Sequence, residues 1–158
     1  MVLSVKTKSL IKNLAIPLIV GTLAGFLTRN DVKVFMTDVE KPAFTPPGWV
    51  FPVAWTILYI LMGISAYVVE NSSRYDQSKA LIFYYAQLFF NFVWPFIFFS
   101  SQNYLLALIW IIILLGLIII TTLKFYRVEP KAGYLMIPYV IWVSFATVLT
   151  FSVYLLNR

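Results

Sequence analysis

YLLALIWIIILLGLIIITTL, residues 104–123, runs for twenty positions without a charged side chain and without any alternation of polar and apolar residues. A surface helix of a soluble domain keeps a polar face. This stretch has none, and at about 1.5 Å per residue it is long enough to cross a hydrocarbon core of roughly 30 Å. Lipid offers no partner for a backbone N–H or C=O, so spanning segments are helices or strands of closed barrels. Barrel strands alternate in polarity, and this one does not. The expected fold class is therefore an all-α integral membrane protein.

The chain on both sides repeats the signal. Further apolar runs cover about residues 10–28, 47–69, 80–99 and 132–156, which predicts a five-transmembrane-helix bundle forming a single membrane domain over residues 1–158. The 158 residues are 61% hydrophobic and 11% charged, against about half and about a quarter in soluble domains. The longest connection is expected at residues 29–46, and Ser100–Asn103 reads as a tight turn. Residues 1–20 are basic, then apolar, like a signal peptide. No small-x-small cleavage site follows, so they are expected to open an uncleaved first span.

Lys6, Lys8, Lys12, Arg74, Lys79, Lys124, Arg127 and Lys131 fall on one side of such a bundle; Arg29, Lys33, Lys41 and Arg158 fall on the other. The positive-inside rule then puts the N-terminus in the cytoplasm and the C-terminus outside. The net charge of +6 sits at the ends of apolar runs rather than in a basic stripe, so no nucleic-acid partner is expected.

Several chemistries are excluded. Without Cys or His there are no disulfides, no thiolate catalysis and no donor set for most zinc, copper or haem-iron sites, so no metal is expected. No Ser-His-Asp set or phosphate-binding glycine loop occurs. The six acids, Asp31, Asp38, Glu40, Glu70, Asp76 and Glu129, all lie in expected loops or at span edges, which argues against an ion-driven pump.

Three spans contain more than lipid requires. Phe51, Trp55 and Tyr59 recur every four residues and share a helical face, with Gly63 and Ser65 beyond them for close helix approach. Gln87, Asn91 and Trp94 share a face of the third span, and Tyr139, Trp142 and Ala146 a face of the fifth. Convergence of these stripes on a pocket is one reading. Amides at membrane depth must bond inward, and Gln87 and Asn91 serve equally well as bolts between helices. Trp49, Tyr104 and Trp110 fit an interfacial belt. Gly21–Gly25, GTLAG, matches a helix-packing pattern. Pro17, Pro52, Pro95 and Pro138 are expected to bend four of the spans and leave curved walls.

KPAFTPPGWVFPVAWTILYILMG, AQLFFNFVWPFIFF and LMIPYVIWVSFATVLT, in that order and spacing, resemble the signature blocks of the TspO/MBR family, the translocator-protein or peripheral-type benzodiazepine-receptor family. The resemblance implies a prokaryotic member with five helices, often a homodimer, in the bacterial cell membrane, or in the mitochondrial outer membrane if the chain is eukaryotic. It also implies a pocket for porphyrins such as protoporphyrin IX, for sterol-type lipids and for other hydrophobic small molecules. No cofactor is required; the porphyrin is a ligand. By matching motifs, the ligand-binding residues would be Pro46, Trp49, Phe51, Trp55, Tyr59, Gln87, Asn91, Trp94, Trp142 and Ala146, under a lid made by the first loop. Lys33 and Lys41 near the mouth would attract propionates. The function so implied is a membrane receptor or carrier for tetrapyrroles, with a part in stress sensing or transport. A second reading is an enzyme that degrades porphyrin with light and oxygen, with Trp55 and Trp142 as the catalytic residues. A third is a lipid- or sterol-binding structural protein, for which Leu149, Tyr154 and Arg158 meet a loose sterol-contact pattern. Phe35, Met36 and Phe44 stand where the family usually has loop aromatics with hydrogen-bonding groups, which makes the lid less polar.

Overall fold

Each apolar run forms a helix in the computed structural model, which describes residues 4–158: α1 (Val5–Asp38), α2 (Val50–Glu70), α3 (Gln77–Pro95), α4 (Tyr104–Val128) and α5 (Pro130–Leu156). All five are long and apolar enough to cross a membrane. Residues 1–3 of the basic, signal-like start lie outside the described residues.

The helices close a ring. α1 packs on α2, α2 on α5, α5 on α4, α4 on α3, and α3 with its terminal turn returns to α1. α4 shows how an all-apolar sequence still chooses a face. Ala107, Ile111, Leu114, Ile118, Thr121, Phe125 and Val128 are buried at helical spacing, while Ile109, Ile112, Ile113, Ile119 and Ile120 face outward. Interior packing selected that face, since lipid discriminates little between isoleucines.

Small residues set the tightest contacts. A Cβ on Gly63 would come within 2.7 Å of the Asn13 carbonyl oxygen, so α1 and α2 touch there backbone to backbone. A Cβ on Gly133 would lie 2.7 Å from Tyr126 Cα, which draws α5 against α4 just after their one-residue connection at Glu129. Ser65 donates to the Ala132 carbonyl at 2.7 Å and ties α2 to α5. At the same end of the bundle, Glu70 accepts from Ser9, Lys12 and Asn13, which clamps the start of α1 to the end of α2.

The structure corrects the expected first loop. Residues 29–38 continue α1 rather than forming a connection, so the loop is only residues 39–49. The apolar run ends at Arg29, but the helix does not. Phe35 is buried and packs its ring 5.1 Å from Phe98 and 5.4 Å from Phe99 at the end of α3. α1 stops where Val39 becomes extended, three residues before Pro42, and Lys41 Nζ caps its last turn by donating to the carbonyls of Phe35 and Val39.

Proline acts at fewer places than expected. Pro17, Pro95 and Pro138 lie within helices. Pro52 is the third residue of α2, where a backbone N–H has no intrahelical partner to lose, so it starts the helix and does not bend it. After Pro95 the chain widens into a π turn, Phe96–Ser100, closed by Ser101 N–H on the Phe96 carbonyl at 2.9 Å.

Candidate functional site

The ring encloses a cavity of about 450 Å³, in the half of the bundle nearer the loop of residues 39–49. That volume is within the range of small-molecule sites. Its walls come from α1, α2, the last turns of α3 with the π turn that follows, and α5, with Gly48 added from the loop.

Phe51, Trp55, Tyr59, Asn91, Trp94, Trp142 and Ala146 all lie on the wall, so the three stripes do converge. Phe51 meets Trp142 edge to face at 6.2 Å, and Trp55 stacks on Tyr59 at 5.5 Å. Three of the residues expected here lie elsewhere. Trp49 is 68% exposed at the start of α2, Pro46 belongs to the loop, and Gln87 is fully buried behind the wall.

Gln87 belongs to a network that explains both amides. Tyr59 O–H donates to Asn91 Oδ1 at 2.6 Å, Asn91 Nδ2 donates to Tyr139 Oη at 2.7 Å, and Tyr139 O–H donates to Gln87 Oε1 at 2.7 Å. The chain of bonds joins α2, α3 and α5 and forms the polar floor of the cavity. Asn91 and Tyr59 expose part of that floor to the cavity, while Tyr139 and Gln87 lie beneath it. The bolting and pocket readings of the amides thus describe one structure.

α1 contributes a wall that no aromatic stripe announced: Leu18, Gly21, Ala24, Gly25, Thr28, Val32 and Phe35. The GTLAG glycines act through this wall rather than as a helix-packing pair. A Cβ on Gly21 would lie 2.0 Å from the Tyr59 ring, so Gly21 is the seat of that ring. Gly25 has nothing within 4 Å of where its Cβ would be, because it faces open space. The exposed members of the lining are Thr22, Gly25 and Arg29 on α1, and Pro52 and Thr56 on α2. The cavity therefore opens sideways between α1 and α2, toward the surroundings of the bundle.

Polar groups on the wall are few. Trp94 and Trp142 line the wall with their rings, while their indole nitrogens are buried away from the cavity without a hydrogen-bond partner. Thr28 and Thr56 donate to carbonyls of their own helices at 2.8 Å and 2.7 Å. Arg29 is the cation on the wall. Lys41 is tied to α1 carbonyls, and Lys33 is exposed and off the lining, so neither takes the place expected of it.

The residues that replace the usual loop aromatics fall at three depths. Phe35 is on the cavity wall, Met36 lies beside Gly48, and Phe44 is half exposed with its ring 6.2 Å from Phe145. Of the sterol-pattern residues, Leu149 faces the cavity, Tyr154 packs on the core and Arg158 is exposed, so they share no outward surface. Two expected belt residues also turn inward: Trp110 donates to the Phe90 carbonyl at 2.9 Å, and Tyr104 is buried.

The TspO/MBR family profile matches residues 13–156. The chain is 38% identical to the tryptophan-rich protein TspO of Archaeoglobus fulgidus over 94% of its own length and 96% of that protein. It is 39% identical to the tryptophan-rich sensory protein of Cereibacter sphaeroides over 76% of its own length and 75% of that protein. With the human translocator protein it shares 34% identity over 73% of its own length and 70% of that protein.

Proposed function

Because this chain belongs to the TspO/MBR family, we propose that it is a membrane receptor or carrier that holds a porphyrin in the cavity between α1, α2, α3 and α5. It is an integral, multi-pass membrane protein. The observation that supports the porphyrin reading best is the largely apolar, aromatic wall, to which Phe51, Trp55, Trp94 and Trp142 all contribute. Flat aromatic walls favour a flat conjugated ligand by stacking. The lateral opening gives a macrocycle larger than the cavity room to extend between α1 and α2, and gives an apolar ligand a route from the bilayer.

The test is a titration of the purified protein in neutral detergent with protoporphyrin IX, followed by quenching of tryptophan fluorescence. Saturable binding in the micromolar range or tighter is expected, and Ala146→Phe, which fills the cavity, is expected to weaken it at least tenfold. Unsaturable quenching that Ala146→Phe does not change would refute the reading.

The degradation reading keeps one supporting observation: Trp55 lies on the wall in contact with Tyr59, whose hydroxyl starts the buried network, so two oxidisable rings adjoin the ligand space. Illumination of the porphyrin complex in air separates the readings. Loss of the Soret band in the parent protein, but not in Trp55→Phe or Trp142→Phe, supports degradation. Equal spectra leave the receptor. The family reading also takes the chain as a homodimer in a bacterial cell membrane, and the count of Lys and Arg on each side takes its N-terminus as cytoplasmic.

A further inference from the structure

We propose that the outer seam between α3 and α4, at the basic end of the bundle, holds the headgroup of an anionic phospholipid, with Lys79 and Lys124 on its phosphate and its acyl chains along the apolar seam beside them. The site lies on the outside of the bundle, at the end away from the cavity, and does not depend on what the cavity binds.

Two helices each bring an ammonium to one aromatic ring. Lys124 stands one turn before the end of α4, partly buried, and its Nζ lies 4.8 Å from the centroid of the Phe83 ring on α3. That contact carries the charge across the seam. Lys79 stands one turn before Phe83 on the same face of α3 and is exposed. α3 begins at this end of the bundle and α4 finishes there, so both lysines lie where long basic side chains reach the headgroup layer. The Phe83 ring takes one side of the Lys124 ammonium and leaves its other N–H groups for an acceptor.

Protein groups leave this pair uncompensated. Among the described residues the one ion pair is Lys12–Glu70, so Asp76 and Glu129, the other acids of this end, neutralise neither lysine. Lys12 and Lys41 show the alternative: the first is engaged by Glu70 and the second by α1 carbonyls. The surface beside the pair says what kind of anion fits. Ile82, next to Phe83, is 66% exposed, and Ile120, one turn before Lys124, is 40% exposed. Further along the same seam Trp110 stacks on Phe90 at 4.4 Å. A free phosphate makes no use of that apolar strip, whereas an acyl chain lies along it. A headgroup with its own ammonium would bring a like charge to the two lysines. Phosphatidylglycerol carries a net negative charge and otherwise only hydroxyls, so it is the class of lipid this pair selects.

Binding of dioleoyl phosphatidylglycerol and of dioleoyl phosphatidylcholine to the delipidated full chain is measured by native mass spectrometry from maltoside detergent. The parent is expected to hold the first phosphatidylglycerol at least about tenfold more tightly than phosphatidylcholine. The double variant Lys79→Gln with Lys124→Gln removes that preference and leaves the phosphatidylcholine affinity unchanged, which also shows that the variant is folded. Each single substitution removes part of the preference, and Lys79→Arg with Lys124→Arg keeps it. Lys8→Gln with Lys131→Gln takes the same charge from exposed positions at the same end and leaves the preference intact. Equal loss in the two Gln pairs would assign the effect to surface potential and overturn the proposal. So would a parent without the preference, or a preference that survives Lys79→Gln with Lys124→Gln. Inorganic phosphate in large excess is expected to leave the lipid in place; its displacement would assign the lysines to free phosphate and overturn the lipid site.

Discussion

Gly21 and Gly25 belong to one short motif and have opposite surroundings. The Tyr59 ring occupies the space that a side chain at 21 would need, with ring carbons 2.0–2.6 Å from the would-be Cβ, while position 25 faces the open cavity. Gly21→Ala must push a buried ring away from Asn91, and overpacking of this kind costs about 1–3 kcal/mol. Gly25→Ala adds a methyl group to open space and gains helix propensity, so its stability should stay within about 0.5 kcal/mol of the parent. Thermal unfolding in detergent checks both: a clear fall in Tm for the first, none for the second. The motif itself was legible in the sequence, but its meaning was not. Spacing says that two small residues share a face; what fills the space opposite depends on Tyr59, thirty-eight positions further on.

At the scale of the helix, Asn91 joins what three separate stripes suggested. It accepts a hydrogen bond from Tyr59 on α2 and donates one to Tyr139 on α5, so its loss removes two buried bonds and leaves the Tyr59 hydroxyl without its acceptor. Asn91→Leu should destabilise by about 1–3 kcal/mol. Its folded fraction should still bind porphyrin within about tenfold of the parent, because most of the stacking wall is untouched. Unfolding and titration of the same sample check this; unchanged stability with lost binding would reverse the assignment of the amide. The period of the stripes revealed Phe51, Trp55, Tyr59, Asn91, Trp94, Trp142 and Ala146, because aromatic groups and amides at membrane depth stand out. The α1 wall stayed hidden because Leu18, Ala24, Val32 and their neighbours look like any lipid-facing sequence. The extent of α1 was hidden for a related reason. Hydropathy marks where lipid ends, not where helical hydrogen bonding ends, and residues 29–38 stay helical by packing Phe35 on Phe98.

The bundle as a whole places its most basic end, with Lys12, Arg74, Lys79, Arg127 and Lys131, opposite the cavity end with Arg29, Lys33, Lys41 and Arg158. If charge sets orientation, the cavity end faces away from the cytoplasm. The chain has no cysteine, so single-cysteine labelling is clean. In intact bacteria, Ala43→Cys should react with an impermeant maleimide and Ser73→Cys should react only after lysis; the reverse pattern would invert the topology. The sequence alone determined that the chain spans a membrane five times, because lipid constrains every backbone polar group and only long apolar helices meet that demand. It also determined which residues are too polar or too aromatic to be filler. Only the tertiary structure decided which of them share a wall, that α1 completes it, that Gln87 lies behind it and that Arg29 rather than Lys41 stands at its mouth. Those outcomes depend on how five helices rotate against one another, and that rotation follows from close contacts such as Gly63 on Asn13, Gly133 on Tyr126 and the Tyr59–Asn91–Tyr139 network. Such contacts join positions far apart in the chain, and no local pattern of residues records them.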